Sequence, residues 1–419
     1  MKLGSERWLG HIRELGIFLK WLLYACGIGL LAGAVAAAFH FGIDWATELR
    51  GEHPWVVWLA PVGGVAIVLL YRVCHMEKDQ GTNLVLVAVR EAEPLKLRTA
   101  PLIFLSTILT HLVGGSAGRE GAALQLGGSL AAWVGRGIGL DDKDRRVMVM
   151  CGMAAAFSAL FGTPLTAAVF AMEVVSVGVM YYAALVPCAV ASSVAFLLAR
   201  FLGLHQTSGY PVGEAIALTP LTMLQAAGLG LLCALVSILF CKAMHYAPKL
   251  YARVLPNTLV RAAVGGVLVL LLTLLVGEQT YNGAGDAVIR AMLAGETIPE
   301  AFLLKILFTA VTLGAGFRGG EIVPVLFTGA AFGTTVGPLL GIPHGFGGAM
   351  AMAAVFCGAT NCPMTALLLS LELFGGEGLP LYALCCGVSY MLSGYYGLYS
   401  EQKIVYSKFK TEWIDKKAQ

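Results

Sequence analysis

The chain has 419 residues and a formal net charge of +3, and 58% of its residues are hydrophobic whereas only 13% are charged. Soluble domains carry roughly 25% charged residues, so this composition, with a mean hydropathy of +0.78, excludes an ordinary soluble protein. We therefore predict an integral membrane protein whose main surroundings are the lipid bilayer, and we expect no nucleic-acid partner.

Long apolar runs along the chain predict membrane-crossing helices, because a helix needs roughly 20 apolar residues to cross a bilayer. They lie near residues 15–42, 54–74, 99–114, 144–160, 179–202, 218–245, 258–276 and 379–394. Shorter runs end in Gly, Pro or charge, which is typical of broken or half-spanning helices. These lie near residues 120–135, 163–175, 300–316, 321–340 and 363–375.

The two ends of the chain are rich in Lys and Arg. The basic residues are Lys2, Arg7, Arg13 and Lys20 at the front, and Lys403, Lys408, Lys410, Lys416 and Lys417 at the end. The positive-inside rule then predicts that both termini are cytoplasmic, in the inner (plasma) membrane. No small-residue cleavage site follows the first apolar run, so we interpret it as a retained helix and not as a signal peptide. The terminal lysines are most simply a solvated tail.

The ten cysteines show no metal-ligand spacing. Most lie inside apolar runs, namely Cys26, Cys151, Cys188, Cys233, Cys241, Cys357, Cys385 and Cys386. We interpret them as small reduced core residues, with no disulfide framework, no metal site and no cofactor.

An internal repeat dominates the organisation of the chain. The segment from Met153 to Phe157, with Pro164 and Glu173 after it, is echoed 199 residues later by a segment that ends in Pro363 and Glu372. We divide the chain into a first transmembrane repeat (1–204), a linker (205–219), a second repeat (220–400) and a short cytoplasmic tail without a regulatory domain (401–419). Helices interrupted at matching positions of two repeats point to a transporter with its substrate site at the repeat interface. The repeat alone leaves a parallel or an inverted arrangement open.

Each half also contains a Gly-rich turn that leads directly into an apolar helix and carries a carboxylate. The first turn contains Gly118, Arg119, Glu120 and Gly121, and the second contains Gly320, Glu321, Ile322 and Val323. The unpaired amides at such helix starts favour an anion, and glycine lets the backbone approach it closely. A third helix start is predicted at Gly81, Thr82 and Asn83, whose side chains are possible donors.

Glu120 and Glu321 are ionisable residues at predicted membrane depth. Placing a charged side chain there costs free energy, so such residues are functional-site candidates. A carboxylate at the first anion site can occupy the site itself, compete with a permeating anion and leave when it is protonated. Such a group gates anion movement or couples it to protons. Simpler interpretations remain open: Glu120 could only cap its helix, and Glu321 could pair with Arg318. We favour a structural role for Arg119 as the partner of acids or carbonyls, and for Glu173 and Glu372 as tethers.

Three motifs in this order resemble the CLC family of chloride channels and transporters: Gly118-Arg-Glu-Gly121, Gly320-Glu-Ile-Val-Pro324 and Gly397-Leu-Tyr-Ser400. The resemblance covers nearly the whole chain. It implies an all-α polytopic membrane protein, an inverted repeat whose broken and tilted helices converge with their N-termini on an anion site. It also implies that Glu120 is the external gate, that Tyr399 helps to hold the central anion, and that the protein is a homodimer with a pore in each subunit.

Departures from the common pattern of that family indicate a branch within it. Gly81-Thr-Asn-Leu-Val85 replaces the usual serine loop, Glu321 and Ile322 change the second-half motif, and Val174 stands where chloride/proton exchangers carry a second glutamate. This pattern looks like the fluoride/proton antiporter branch, except that Val323 stands where that branch usually has threonine. We therefore expect fluoride export in exchange for protons, with Glu120 as gate and proton carrier and Glu321 on the proton route.

Two other classes of function stay open. A chloride/proton exchanger or chloride channel of the same family shares the repeat and Glu120. An intramembrane serine hydrolase is the remote alternative, since Gly114 to Gly118 fits a G-x-S-x-G pattern with Ser116 as nucleophile and His111 nearby. That pattern is weak in a chain with 52 glycines, and we expect no enzyme activity.

Overall fold

The structure, a computed structural model, describes residues 2–91, 94–204 and 209–419, with side chains from residue 11 onward. Its first half contains α1 (Lys2–Glu52), α2 (Ala60–Val73), α3 (Thr82–Glu91), α4 (Thr99–Leu112), α5 (Glu120–Gly137), α6 (Asp142–Phe161), α7 (Pro164–Glu173) and α8 (Leu185–Phe201). Its second half contains α9 (Pro220–Val254), α10 (Thr258–Val276), α11 (Asp286–Leu293), α12 (Ala301–Gly314), α13 (Ile322–Val336), α14 (His344–Thr360), α15 (Pro363–Phe374) and α16 (Leu379–Leu392). Three short strands are β1 (Ser176–Val177), β2 (Lys403–Tyr406) and β3 (Trp413–Lys417).

Every helix of the first half has a counterpart eight helices later. Matching residues in the sequence explain why matching helices begin at the same places. For example, α7 begins with Pro164 and α15 begins with Pro363. Proline is favoured there because its missing N–H would have no intrahelical partner. The preceding helices end at Gly162 and Asn361, both in the left-handed conformation. Equivalent sequence signals therefore produce equivalent helix breaks in both halves.

Close packing of small residues forms the centre of each repeat. A Cβ atom added to Gly127 of α5 would lie 2.1 Å from the Gly152 carbonyl oxygen of α6. In the second half, a Cβ atom on Gly333 of α13 would lie 2.2 Å from the Gly347 carbonyl oxygen of α14. Both helix pairs can therefore approach this closely only because glycine occupies these positions.

The helices leave the molecule with two faces. The terminal face carries the N-terminal part of α1 and the three strands. Ion pairs connect segments on this face, such as Lys20 of α1 with Asp144 of α6 (3.8 Å) and Arg90 of α3 with Glu401 before β2 (3.6 Å). The distal face carries the segment between α8 and α9, where Arg290 donates a hydrogen bond to the Gly209 carbonyl. The first repeat thus runs from the terminal to the distal face and the second runs back. The repeats are inverted, which resolves the alternative that the sequence left open.

Five of the described helices are long and apolar enough to cross a membrane, and they cover residues 11–52, 54–73, 182–201, 220–254 and 258–276. The runs near 99–114 and 379–394 are instead 14-residue helices, α4 and α16. They are shorter than expected because the apolar runs continue into turns at Val113 and Ser393. The predicted all-α polytopic fold with broken helices is confirmed. The division at residues 204 and 220 stays a prediction, and residues 205–208 of its linker lie outside the described residues.

The C-terminal segment is more ordered than the solvated tail that we expected, although Lys410, Lys416 and Lys417 are exposed as such a tail requires. β2 pairs in parallel with β1 and antiparallel with β3, which ties the end of the chain to the first repeat. Gln402 is fully buried and donates to the carbonyls of Val174 and Thr360. Lys408 is also held, by the Tyr390 carbonyl at 2.9 Å. The tail is ordered because its backbone and buried polar groups find partners in both repeats.

Candidate functional site

The two Gly-rich turns meet at the interface of the repeats. The Gly118 N–H donates to the Gly320 carbonyl at 2.7 Å, and the Gly320 N–H donates to the Gly118 carbonyl at 2.8 Å. A Cβ atom added to Gly320 would lie 2.5 Å from the Gly121 nitrogen. This antiparallel bridge therefore depends on glycine, and it places the starts of α5 and α13 side by side.

Glu120 lies directly against that bridge. Its side chain is 1% exposed, and its Oε2 accepts a hydrogen bond from the Arg119 N–H at 3.0 Å. The same oxygen is 3.0 Å from the position of a Cβ atom on Gly118. The carboxylate thus folds back over the start of its own helix, where unpaired amides favour negative charge. A carboxylate in this position can both cap the helix and compete with an anion, so the contact does not separate these two interpretations.

Glu321 lies on the other side of the bridge, near Thr82. A Cβ atom on Gly121 would lie 3.4 Å from Thr82 Oγ1 and 3.5 Å from Glu321 Oε2. The Thr82 hydroxyl donates to the Gly121 carbonyl at 3.2 Å, whereas the buried Glu321 Oε2 has no hydrogen-bond partner among the described residues. The structure therefore brings the three predicted helix starts, at residues 82, 120 and 322, to one point.

Tyr399 and Gln125 add unpaired polar atoms to this region. Both residues are 2% exposed, and the Tyr399 hydroxyl and Gln125 Oε1 lack hydrogen-bond partners in the described part of the chain. The Gln125 amide nitrogen is 3.4 Å from both Thr82 Oγ1 and the Gly121 carbonyl. Sequence reasoning missed Gln125. The sequence did contain a signal for it, because Gln125 places a polar side-chain amide one turn after Gly121 in a mainly apolar helix.

The remaining predicted anion ligands divide into two groups. Ile322 and Val323 are 1% exposed and begin α13, so they offer unpaired backbone amides and no polar side chain. Gly81 has a positive φ of 66°, and its N–H donates to Asp79 Oδ1 at 2.8 Å. Asn83 uses its side-chain oxygen to accept from the Glu401 N–H at 3.1 Å. That contact ties α3 to the C-terminal segment. We call the point where the starts of α3, α5 and α13 meet the filter.

Arg119 is surrounded by acids. Its guanidinium is 3.4 Å from Asp44, 3.6 Å from Asp286 and 3.5 Å from Glu120, and it also lies 2.7 Å from His40 Nδ1. Several acidic partners compensate its buried charge, which supports the structural role that we favoured. Asp44 and Asp286 come from α1 and α11, far from Arg119 in sequence, so no motif could have indicated them. The cluster borders a cavity of about 340 Å³ on the distal face.

Arg318 does not pair with Glu321, contrary to the alternative raised from the sequence. Its Nη1 is 3.8 Å from Asp79 Oδ1 and 3.4 Å from the Asp79 carbonyl, and its guanidinium lies 4.2 Å from the centre of the Tyr71 ring. The arginine points toward the terminal face, whereas Glu321 points to the filter. Glu321 is therefore left without a compensating ion pair in the described chain.

Glu173 and Glu372 are tethers between the repeats. Glu173 accepts from the Met364 and Thr365 N–H groups at 3.0 and 2.8 Å, and Glu372 accepts from the Leu165 and Thr166 N–H groups at 2.9 and 2.8 Å. Each carboxylate also accepts from the threonine hydroxyl at 2.6 Å. Both residues have the structural role that we favoured.

The geometry removes the hydrolase alternative. Ser116 Oγ is 3.0 Å from Thr309 Oγ1, while His111 Nδ1 is 2.9 Å from the Thr107 carbonyl oxygen. No hydrogen bond joins Ser116 to His111 within the described ranges, so the nucleophile and base of a hydrolase are not assembled. The described residues also contain no group of three side chains suited to hold a metal ion.

Comparisons with known proteins agree with this geometry. Residues 63–394 match the family model described as voltage gated chloride channel. A chloride/fluoride channel protein of Pseudomonas syringae pv. tomato is 37% identical over 396 residues, which cover 93% of this chain and 87% of that protein. The crystal structure of a CLC-type fluoride/proton antiporter matches with a TM-score of 0.88 and 33% identity, over 92% of this chain and 98% of the other. A slow cyanobacterial Cl⁻/H⁺ antiporter shares the fold, with a TM-score of 0.76 and 18% identity over 89% of this chain and 94% of the other.

Proposed function

Because this chain belongs to the voltage-gated chloride channel family, we propose that it is a fluoride/proton antiporter that exports cytoplasmic fluoride in exchange for protons. The observation that carries the proposal is the second carboxylate, Glu321, whose buried Oε2 lies near Thr82 and has no hydrogen-bond partner in the described chain. A similar protein with a related structure is a fluoride/proton antiporter. The members of this family are channels and transporters, so we propose no enzyme activity.

Fluoride is a strong hydrogen-bond acceptor, and this site is rich in donors. The starts of α5 and α13 present unpaired amides, and the hydroxyl groups of Thr82 and Tyr399 lie in the same buried region. The glycines of the bridge let the amides approach a small ion directly. We propose that these groups replace the water molecules that fluoride holds tightly in solution.

Glu120 is the gate and proton carrier in this proposal. As a carboxylate, it occupies the helix start that the anion needs and competes with fluoride there. Once protonated, it is neutral and leaves the amides to the anion, so proton binding and anion binding become linked. Glu321, across the bridge, then accepts the proton on its unpaired oxygen. Each glutamate thus alternates between charged and neutral forms during exchange.

The terminal face is cytoplasmic in this proposal, and the membrane is the inner (plasma) membrane. Many Lys and Arg residues lie on that face, including Lys20, Arg136, Arg145, Arg261 and Lys403, whereas fewer lie at the distal ends of the helices, among them Arg50, Arg200 and Arg290. This asymmetry is the one that the positive-inside rule describes. A homodimer with one pore in each subunit is the assembly that the family resemblance implies.

A chloride/proton exchanger is the second candidate. Val323 favours it, because this first-turn residue of α13 offers no hydroxyl to fluoride. The similar Pseudomonas protein also carries both ions in its name.

Proteoliposomes loaded with fluoride or chloride separate the two candidates. Efflux is recorded with ion-selective electrodes while the external pH is followed. Fluoride efflux with matching proton uptake, and little chloride efflux, is the expected result. Chloride that moves as fast as fluoride would assign the chain to chloride exchange and leave Glu321 without a role. Anion efflux without proton uptake would identify a channel.

A further inference from the structure

An antiporter of this kind needs a group that passes protons between the filter and the cytoplasm. Glu173 and its neighbour Val174 lie on the terminal face, but neither supplies such a group. Both oxygens of Glu173 accept hydrogen bonds from the start of α15, and Val174 is apolar and fully buried. The proton must therefore use another residue.

Asp79, just before α3, has the properties that this role requires. Among the described residues, the buried carboxylate oxygens without a hydrogen-bond partner are Glu321 Oε2 and Asp79 Oδ2. The Asp79 side chain is 0% exposed. Its other oxygen accepts from the Gly81 N–H at 2.8 Å, which fixes the carboxylate while it leaves Oδ2 free. A free, buried carboxylate oxygen is uncommon and calls for an explanation.

Asp79 also lies next to a cavity of the terminal face. The cavity has a volume of about 350 Å³. Its charged or titratable lining residues are Asp79, His75, Glu77, Lys78 and Lys96. Asp79 lines this cavity, although its side chain has no surface exposed to solvent. Arg318 and the Tyr71 hydroxyl are the other titratable groups that act on it. Arg318 compensates the charge of the buried acid.

Two contacts align the Asp79 segment with the Glu321 segment. At one end, Arg318 contacts the Asp79 carbonyl and carboxylate. At the other end, Thr82 Oγ1 and Glu321 Oε2 flank the same point beside Gly121. Residues 79–82 and 318–321 therefore run side by side, with Glu321 at the filter and Asp79 toward the terminal face. Three residues span on the order of 10 Å at most, so a proton needs an intermediate. Thr82 lies between Asp79 and the filter along the chain, and its hydroxyl lies near Glu321 Oε2.

We propose that Asp79 is the cytoplasmic proton acceptor that connects Glu321 to the cavity of the terminal face. The O–H bond of protonated Glu321 breaks, a proton is passed through the Thr82 hydroxyl and water, and an O–H bond forms at Asp79 Oδ2. The negative charge moves from Asp79 to Glu321. The proton then leaves Asp79 to water in the cavity. This inference rests on the proposed proton-coupled exchange, but it does not depend on which anion is carried.

The test uses Asp79→Asn and Asp79→Ser in reconstituted full-length protein. Both replacements keep a side-chain oxygen that can accept from the Gly81 N–H, but neither has a carboxylate that can bind and hold the proton, which is the role proposed for Asp79. Glu77→Gln is the matched control, because Glu77 lines the same cavity and pairs with Arg72 at 3.1 Å on the surface. Size-exclusion profiles and melting temperatures establish that the variants are folded. Fluoride-loaded and chloride-loaded vesicles are both measured.

We expect that proton uptake per transported anion falls by about tenfold or more in both Asp79 variants, and stays at the wild-type value in Glu77→Gln. A purely structural Asp79 would leave this ratio unchanged, and wild-type ratios in either folded Asp79 variant would overturn the proposal. Wild-type protein that exchanges chloride instead of fluoride would refute the fluoride assignment alone, since the ratio still tests Asp79. Wild-type protein without proton uptake would overturn the antiport and the role of Asp79 together.

Discussion

Glu173 caps the start of the helix that contains Glu372, and Glu372 caps the start of the helix that contains Glu173. Glu173 ends α7 and accepts two backbone N–H groups at the start of α15, while Glu372, in the last turn of α15, accepts two at the start of α7. The two contacts are related by the pseudo-two-fold symmetry of the inverted repeats. This reciprocity joins the two halves and commits both glutamates to structure.

Replacement of Glu173 by Ala should destabilise the protein without changing its transport ratio. The change leaves the Met364 and Thr365 N–H groups and the Thr365 hydroxyl without an acceptor, at a cost of about 1–3 kcal/mol. Thermal unfolding in detergent measures the loss, and proton uptake per anion measures the coupling. Glu372→Ala is the symmetric comparison and should cost less, because Glu372 is less buried than Glu173. A wild-type melting temperature for Glu173→Ala would contradict the tether.

Glu120→Gln should abolish proton coupling. The neutral amide has nearly the same size but cannot carry a proton, so anions should move without proton uptake. Vesicle efflux with simultaneous pH recording measures both. Glu48→Gln is a suitable control, since Glu48 is an exposed acid near the distal end of α1. Coupled exchange that persists in Glu120→Gln would remove Glu120 from the proton route.

Glu321→Gln should slow or uncouple exchange, because Glu321 Oε2 is the free carboxylate oxygen at the filter. The same vesicle assay applies, with fluoride binding measured by calorimetry to separate lost binding from lost proton transfer. Preserved fluoride affinity with reduced proton uptake is the expected combination. A fully active Glu321→Gln protein with wild-type stoichiometry would dismiss this role.

Gly320→Ala should block transport and destabilise the filter. The added Cβ atom would lie 2.5 Å from the Gly121 nitrogen, so the bridge between Gly118 and Gly320 must open, at a cost of about 1–3 kcal/mol. Gly137→Ala in the last turn of α5 is the control, because no atom beyond the neighbouring residues and backbone of its own helix lies within 4 Å of the added Cβ. Normal anion efflux by Gly320→Ala would show that the bridge is not needed.

Lys408 should make stability depend on pH above neutrality. Burial lowers the pKa of Lys408 in the C-terminal segment to about 8, from 10.5. Between these values the unfolded chain holds a proton that the folded chain has lost, so this group's contribution to stability rises with pH over that window, by at most about 3 kcal/mol. Melting temperatures of wild type and Lys408→Met across this range measure the difference. Parallel pH profiles would contradict the expectation.

The sequence by itself determined the features that depend on composition and on neighbouring residues. Apolar content placed the chain in a membrane, and glycine and proline marked the starts of α5, α7 and α15. The recurrence of Glu120 as Glu321 indicated two halves and an anion site between them. These signals are local, because helix starts and apolar periodicity arise within a few residues.

Tertiary structure alone decided which distant groups meet. Arg318 binds Asp79, 239 residues away, and not the nearby Glu321. Glu173 finds its partners 191 and 192 residues along the chain. The inverted orientation, the acids around Arg119 and the packed C-terminal strands are of the same kind. Such contacts depend on how whole helices pack, and side-chain partners are then chosen by distance and desolvation, which no local pattern of residues records.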